Sequence, residues 1–88
     1  MRVTTAVKQV GARLYRTGCV QLAAALRREH GLGDKDRVHV HVRVYETTGM
    51  EVGEAVITAP ITSGGELYIG KCVPGASAGH MVDLVLLD

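Results

Sequence analysis

The chain has no phenylalanine, no tryptophan and three tyrosines among its 88 residues. Aliphatic side chains must therefore supply nearly all of its buried surface. It has two cysteines and two prolines. Two cysteines are too few for a disulfide scaffold, and neither a Cys-x-x-Cys pair nor a Cys/His ligand spacing is present, so Cys19 and Cys72 read as small buried hydrophobes in a reducing compartment. No stretch approaches the ~18 consecutive apolar residues of a membrane-spanning helix, and the opening "MRVTTAVKQV" lacks the apolar run of a secretory leader. These absences predict a cytoplasmic protein without membrane contact. A Gly-rich phosphate loop with its lysine, a Gly-x-Ser-x-Gly elbow and a His-Glu-x-x-His motif are all missing, so neither an enzyme nor a cofactor is expected.

Charge is nearly balanced at +1 overall but divided along the chain. Residues 1–44 carry Arg2, Lys8, Arg13, Arg16, Arg27, Arg28, Lys35, Arg37 and Arg43 against Glu29, Asp34 and Asp36, a balance of +6. Residues 45–88 carry Lys71 against Glu46, Glu51, Glu54, Glu66, Asp83 and Asp88, a balance of −5. Such a division suits a polyanion-binding face set against an inert or self-associating one, and equally an ordinary solvated surface.

Valine and glycine are abundant in a telling order. Aligned at an offset of 53, "VTTAVKQVGARLYRTGCV" (3–20) and "VITAPITSGGELYIGKCV" (56–73) agree at eight of eighteen positions. Val3/Val56, Thr5/Thr58, Ala6/Ala59, Gly11/Gly64, Leu14/Leu67, Tyr15/Tyr68, Cys19/Cys72 and Val20/Val73 match, which reads as an internal duplication. Each copy predicts a hairpin, with turns at Gly11 and at Gly64 and Gly65.

Between the copies, "QLAAALRREHGLGDKD" predicts a helix over 21–30, from the spacing of Leu22, Ala25 and Leu26 and its run of alanines. Gly31 should stop it, with Leu32 packing back and Arg27, Arg28 and His30 suiting the negative helix end. "RVHVHVRVY" (37–45) alternates strictly, with Val38, Val40, Val42 and Val44 on one face and His39, His41 and Arg43 on the other. In the second copy "PGASAG" replaces the helix before "HMVDLVLL", a further strand.

The pattern is ββαβ followed by ββ-loop-β. It predicts a mostly β single domain over 1–88, with repeats at 3–45 and 56–87. Six strands would close into a small pseudo-twofold β-barrel of the cradle-loop type with one α-helix, leaving no sheet edge open.

"GCVQLAAALRREHGLGDKDRVHVHV" (18–42) resembles the AbrB/MazE/SpoVT swapped-hairpin family. Gly18 matches the family's strand-opening glycine, and Val20 and Leu22 its inward positions. Leu26, Arg27 and Arg28 match its helix, and Gly31, Leu32, Asp36 and Val38 the exit. The likeness extends loosely upstream through Val7, Lys8 and Val10. Cys19 stands where the family usually has a basic residue and Ala23 where it has a proline. With two copies in one chain, the sequence is similar to a fused version, a single-chain barrel of the RIFT type.

The resemblance implies a DNA-binding transcriptional regulator, with Lys8, Arg13, Arg16, Arg27 and Arg28 neutralising duplex phosphates. It also implies dimerisation, since family members interleave hairpins between two chains. The alternative is a non-catalytic single-chain barrel that binds a protein or a small ligand without DNA. Convergence of the five basic side chains on one face would favour DNA, and their scatter or pairing with acids the binding module. His39 and His41 have the spacing of two metal ligands, but without a third they read as polar lining, and no metal is expected. Tyr15 and Tyr68, at matching repeat positions, read as covers for the barrel ends or as core residues with a wet hydroxyl.

Overall fold

The computed structural model describes residues 7–87, without the side chains of Val7 and Lys8. Arg2, Val3, Thr5, Ala6 and Asp88, invoked in the charge and repeat arguments, lie outside the described residues. The elements are β1 (Val7–Arg13), β2 (Cys19–Gln21), α1 (Ala24–Glu29), β3 (Arg37–Tyr45), β4 (Glu51–Pro60), β5 (Glu66–Tyr68) and β6 (Met81–Leu87).

Strand β3 is the one whose alternation was plainest, and it forms over the expected residues. Val40, Val42 and Val44 are fully buried and Val38 nearly so, while His39 and Arg43 are exposed on the other side. It pairs antiparallel with β4 on one edge and β6 on the other. Strand β1 adds beyond β6, giving a four-stranded sheet in the order β1-β6-β3-β4. The inner face of this sheet packs with Leu14, Val20, Leu22, Leu26, Ile61, Leu67, Ile69 and Val73 from the opposite side. Every buried side chain of this core is aliphatic.

The expected closed barrel does not form. Strands β2 and β5 make a separate two-stranded sheet, and β1 and β4 remain the edges of the larger one. The reason is local. The chain reverses within Tyr15–Gly18 and again within Thr62–Gly65, so each long strand turns at once into a three-residue strand. A single Leu14–Val20 bridge links the first pair, and β2 and β5 pair with each other instead.

The hairpin turn expected at Gly11 is a bulge within β1, where the pairing with β6 shifts between Gln9 and Ala12. The turn expected at Gly64 and Gly65 is present.

Backbone bonding relates the two halves at a spacing different from that of the sequence match. Tyr15 N–H donates to Cys19 O and Thr62 N–H to Glu66 O. Gly18 N–H donates to Tyr15 O and Gly65 N–H to Thr62 O. The two turns then exchange partners, Leu22 N–H to Gly65 O at 3.0 Å and Ile69 N–H to Gly18 O at 2.8 Å. Positions 15 and 62, 18 and 65, and 22 and 69 all stand 47 apart. Gly18 and Gly65 both take a positive φ, of 84° and 80°. A Cβ at Gly18 would lie 2.6 Å from the Tyr68 ring, and one at Gly65 would lie 2.6 Å from the Arg27 guanidinium. Glycine is favoured at both positions by conformation, and at Gly18 by space as well. The aligned copies thus fall on different structural roles: Tyr15 lies in a turn and Tyr68 in β5.

The helix is shorter than 21–30. Gln21 belongs to β2, Leu22 N–H is taken by Gly65, and Ala23 N–H donates to the Gln9 side-chain oxygen at 2.8 Å. Those bonds hold the first three residues extended. At the other end Leu32 N–H reaches Arg27 O and Gly31 N–H reaches Arg28 O, the paired bonds of a Schellman stop, and Leu32 packs against the core as expected. In place of a second helix, residues 70–76 form turns that bury Val73.

No described helix is long and apolar enough to cross a membrane.

The sidedness of the large sheet makes a direct prediction. Leu84→Ala, on the inner face of β6, should cost roughly 2–5 kcal/mol of unfolding free energy. Val56→Ala, outward on β4 and 57% exposed, should stay within about 0.5 kcal/mol. Urea denaturation of the two variants measures both.

Candidate functional site

Because strand side chains alternate, the register that buries the valines of β3 fixes what stands on the outer face of the sheet. Across β6, β3 and β4 the outward rows read Leu87–His39–Thr58, Val85–His41–Val56, Asp83–Arg43–Glu54 and Met81–Tyr45–Glu51.

Side chains from these rows form a polar network. His39 Nδ1 lies 2.8 Å from Thr58 Oγ1. His41 Nε2 reaches diagonally to Glu54 Oε2 at 3.0 Å, and Arg43 Nε donates to the same oxygen at 3.0 Å. Glu51 lies 3.8 Å from Arg43 Nε. The Arg43 hydrogen bond, followed by that from His41, holds the Glu54 carboxyl below the usual glutamate range. Reciprocally, Glu54 above all and then Tyr45 raise the Arg43 guanidinium. On the β1 side, Asp83 Oδ1 accepts the Gly11 N–H at 3.1 Å, so the bulge in β1 is pinned by a carboxylate of β6. Between these groups lies an open cleft of about 280 Å³, lined by His41, Arg43, Tyr45, Asp83 and Val85.

The five basic residues assigned to DNA lie on β1, on the turn before β2 and on α1. Lys8 stands opposite Val85 in the β1–β6 ladder, but its side chain lies outside the described residues. Arg13 is exposed at the end of β1, opposite Met81. Arg16 is exposed in the turn before β2. Arg27 is half-buried, donating from Nε to Leu22 O at 3.3 Å with its guanidinium over Gly65. Arg28 is exposed on α1. The turn with Arg16 and the turn covered by Arg27 close opposite ends of the β2–β5 pair, because Cys19 faces Tyr68 and Gln21 faces Glu66.

His39 and His41 take separate partners on β4. Among the described residues no group of three His, Cys, Asp or Glu is placed to hold a metal ion. Cys19 and Cys72 are free, the first half-buried and the second exposed, so neither is the buried hydrophobe that the sequence suggests.

Glu54, Asp83 and Tyr45 are the cleft and network residues that sequence reasoning missed. The alternation of Glu54, Val56 and Thr58, and of Asp83, Val85 and Leu87, marks them as outward, but nothing in the sequence says that these two strands flank β3.

No family model and no curated protein matches the chain. Among solved structures it is similar to the solution structure of PHS018 from Pyrococcus horikoshii, with a TM-score of 0.73 and 25% identity over 91% of this chain and 87% of that one. The likeness supports a small β fold.

The Glu54 environment can be checked directly. In a side-chain carboxyl NMR titration, Glu54 should titrate below the usual glutamate range and move upward in Arg43→Met. A lowered folded-state pKa stabilises the fold above the unfolded-state value, and this contribution is lost as pH falls through the folded value. An unmoved Glu54 signal in the variant would contradict the pairing.

Proposed function

We propose that the chain is a non-catalytic binding module that recognises a small polar ligand on the outer face of its four-stranded sheet. The observation that carries this reading is the contrast between two sets of charged side chains. Arg43 and His41 are held by Glu54 on one side of a cleft whose other side carries Asp83, itself held by the Gly11 N–H. Arg16 and Arg27 stand at opposite ends of the β2–β5 pair, and Arg27 serves the backbone of its own fold.

A duplex-binding surface needs several cations along one track, since each phosphate neutralised adds to affinity by releasing counterions. Here Arg43, a cation of the basic half, is engaged by two carboxylates of the acidic half. The charge division along the chain is thus partly cancelled across the β3–β4 ladder.

The cleft suits recognition more than reaction. Its polar groups are open to water, and it is small, near the lower limit of ligand sites. The two free cysteines agree with a protein that works in the reducing cytoplasm.

Anisotropy of a labelled mixed-sequence duplex, titrated with the protein at low and near-physiological salt, tests this reading. The expected result is no saturable binding at low salt. Binding that weakens steeply with salt would overturn it in favour of phosphate contact by Lys8, Arg13, Arg16, Arg27 and Arg28.

A further inference from the structure

Arg43 and Asp83 are direct cross-strand neighbours on the outer face, and opposite charges so placed ordinarily pair. Here they do not: the ion pairs of Arg43 among the described residues are with Glu51 and Glu54. Each is held back from the other. Glu54 draws the guanidinium toward β4 through Nε, and the Gly11 N–H draws Asp83 toward β1 through Oδ1. The open cleft is lined by both.

We propose that this cleft binds a small α-amino acid as its zwitterion, the carboxylate on Arg43 and the ammonium on Asp83. The proposal deepens the binding-module reading and rests on it. A guanidinium offers five donors; the Nε–Glu54 bond uses one and fixes the plane of the group, Tyr45 engages it as well, and the remaining terminal N–H groups are left for a carboxylate. Asp83 bonds Gly11 through Oδ1, which leaves its second oxygen for an ammonium, and Val85 supplies an apolar wall for a short side chain.

Arg43 and Asp83 are the oppositely charged pair of the cleft lining, and that pair selects this class against simpler ions. A phosphate or dicarboxylate would bring a second negative charge against Asp83. A polyamine would meet Arg43. A molecule carrying one charge of each sign, close together, satisfies both walls.

The symmetry of the fold adds an independent argument. In the β3–β6 ladder Val40 faces Leu86 and Val42 faces Leu84, so the two strands are related about the His41–Val85 pair. The counterpart of Arg43–Asp83 under that relation is Leu87–His39. The charged pair therefore occurs on one side alone and predicts one ligand per chain.

Amide and side-chain NMR shifts of the full chain, titrated with L-alanine, N-acetyl-L-alanine and L-alaninamide, test the proposal. L-Alanine should give saturable shifts centred on residues 41–45 and 83–85, while the two single-charge analogues bind about tenfold more weakly or worse. Asp83→Asn, whose side-chain oxygen can still accept the Gly11 N–H, should keep the fold and lose about tenfold or more in alanine affinity. Thr58→Ala should leave binding unchanged. Equal binding of either analogue, or unchanged affinity in Asp83→Asn, overturns the zwitterion assignment while leaving a ligand module in place. No saturable shift at the cleft with any of the three also overturns it. The duplex titration decides separately whether the module reading itself falls.

Discussion

Val38, Val40, Val42 and Val44 leave β3 on one side and enter a core that contains no buried polar side chain among the described residues. A one-residue slip of this strand against either neighbour would drive His39, His41 and Arg43 into that core, at the cost of burying polar and charged groups without partners. The same constraint that seals the interior therefore composes the exterior. Opposite Arg43 it sets Glu54 on one side and Asp83 on the other, and the cleft is a consequence of that register.

The remaining elements serve this central pairing. The reciprocal bonds from Leu22 to Gly65 and from Ile69 to Gly18 tie the two turns together and hold β2 and β5 across the open side of the core. Gln9 lies opposite the inward Leu84, and its amide bonds Gln21 O and Ala23 N–H, so β1 is fastened to the junction of β2 and α1. The two halves repeat these turns closely but diverge beyond the short strands, with a helix in the first half and glycine-bearing turns in the second. They differ again on the outer face, where Arg43 and Asp83 correspond to Leu87 and His39. A single chain can carry such a difference, whereas two identical half-chains would have to present both faces alike.

Much of this was legible in the sequence. Alternation disclosed β3 and its two faces, and the Gly31-Leu32 pair disclosed the helix stop. Closure was not legible, because it depends on whether β1 and β4 find partners, and the turns at 15–18 and 62–65 are too abrupt to provide them. The identities at offset 53 drew Tyr15 and Tyr68 together, yet the hydrogen bonds follow offset 47, where Leu14 and Ile61, Val20 and Leu67, and Leu22 and Ile69 correspond in burial but not in identity. Arg16 and Arg27 fall at opposite ends of the β2–β5 pair because those strands run antiparallel, which no local pattern encodes. Glu54 and Asp83 escaped notice for the same reason, since each gains its role from a neighbour about ten or forty residues away in the chain.

The register of β3 against β6 is the point on which fold and site both rest, and long-range backbone NOEs measure it most directly. Cross-strand NOEs linking His41 with Val85 and Arg43 with Asp83 are expected, together with slow amide exchange along both strands. NOEs that instead place Arg43 opposite Val82 or Leu84 would contradict the account, because the valine face and the charged cleft could not then coexist on opposite sides of one sheet.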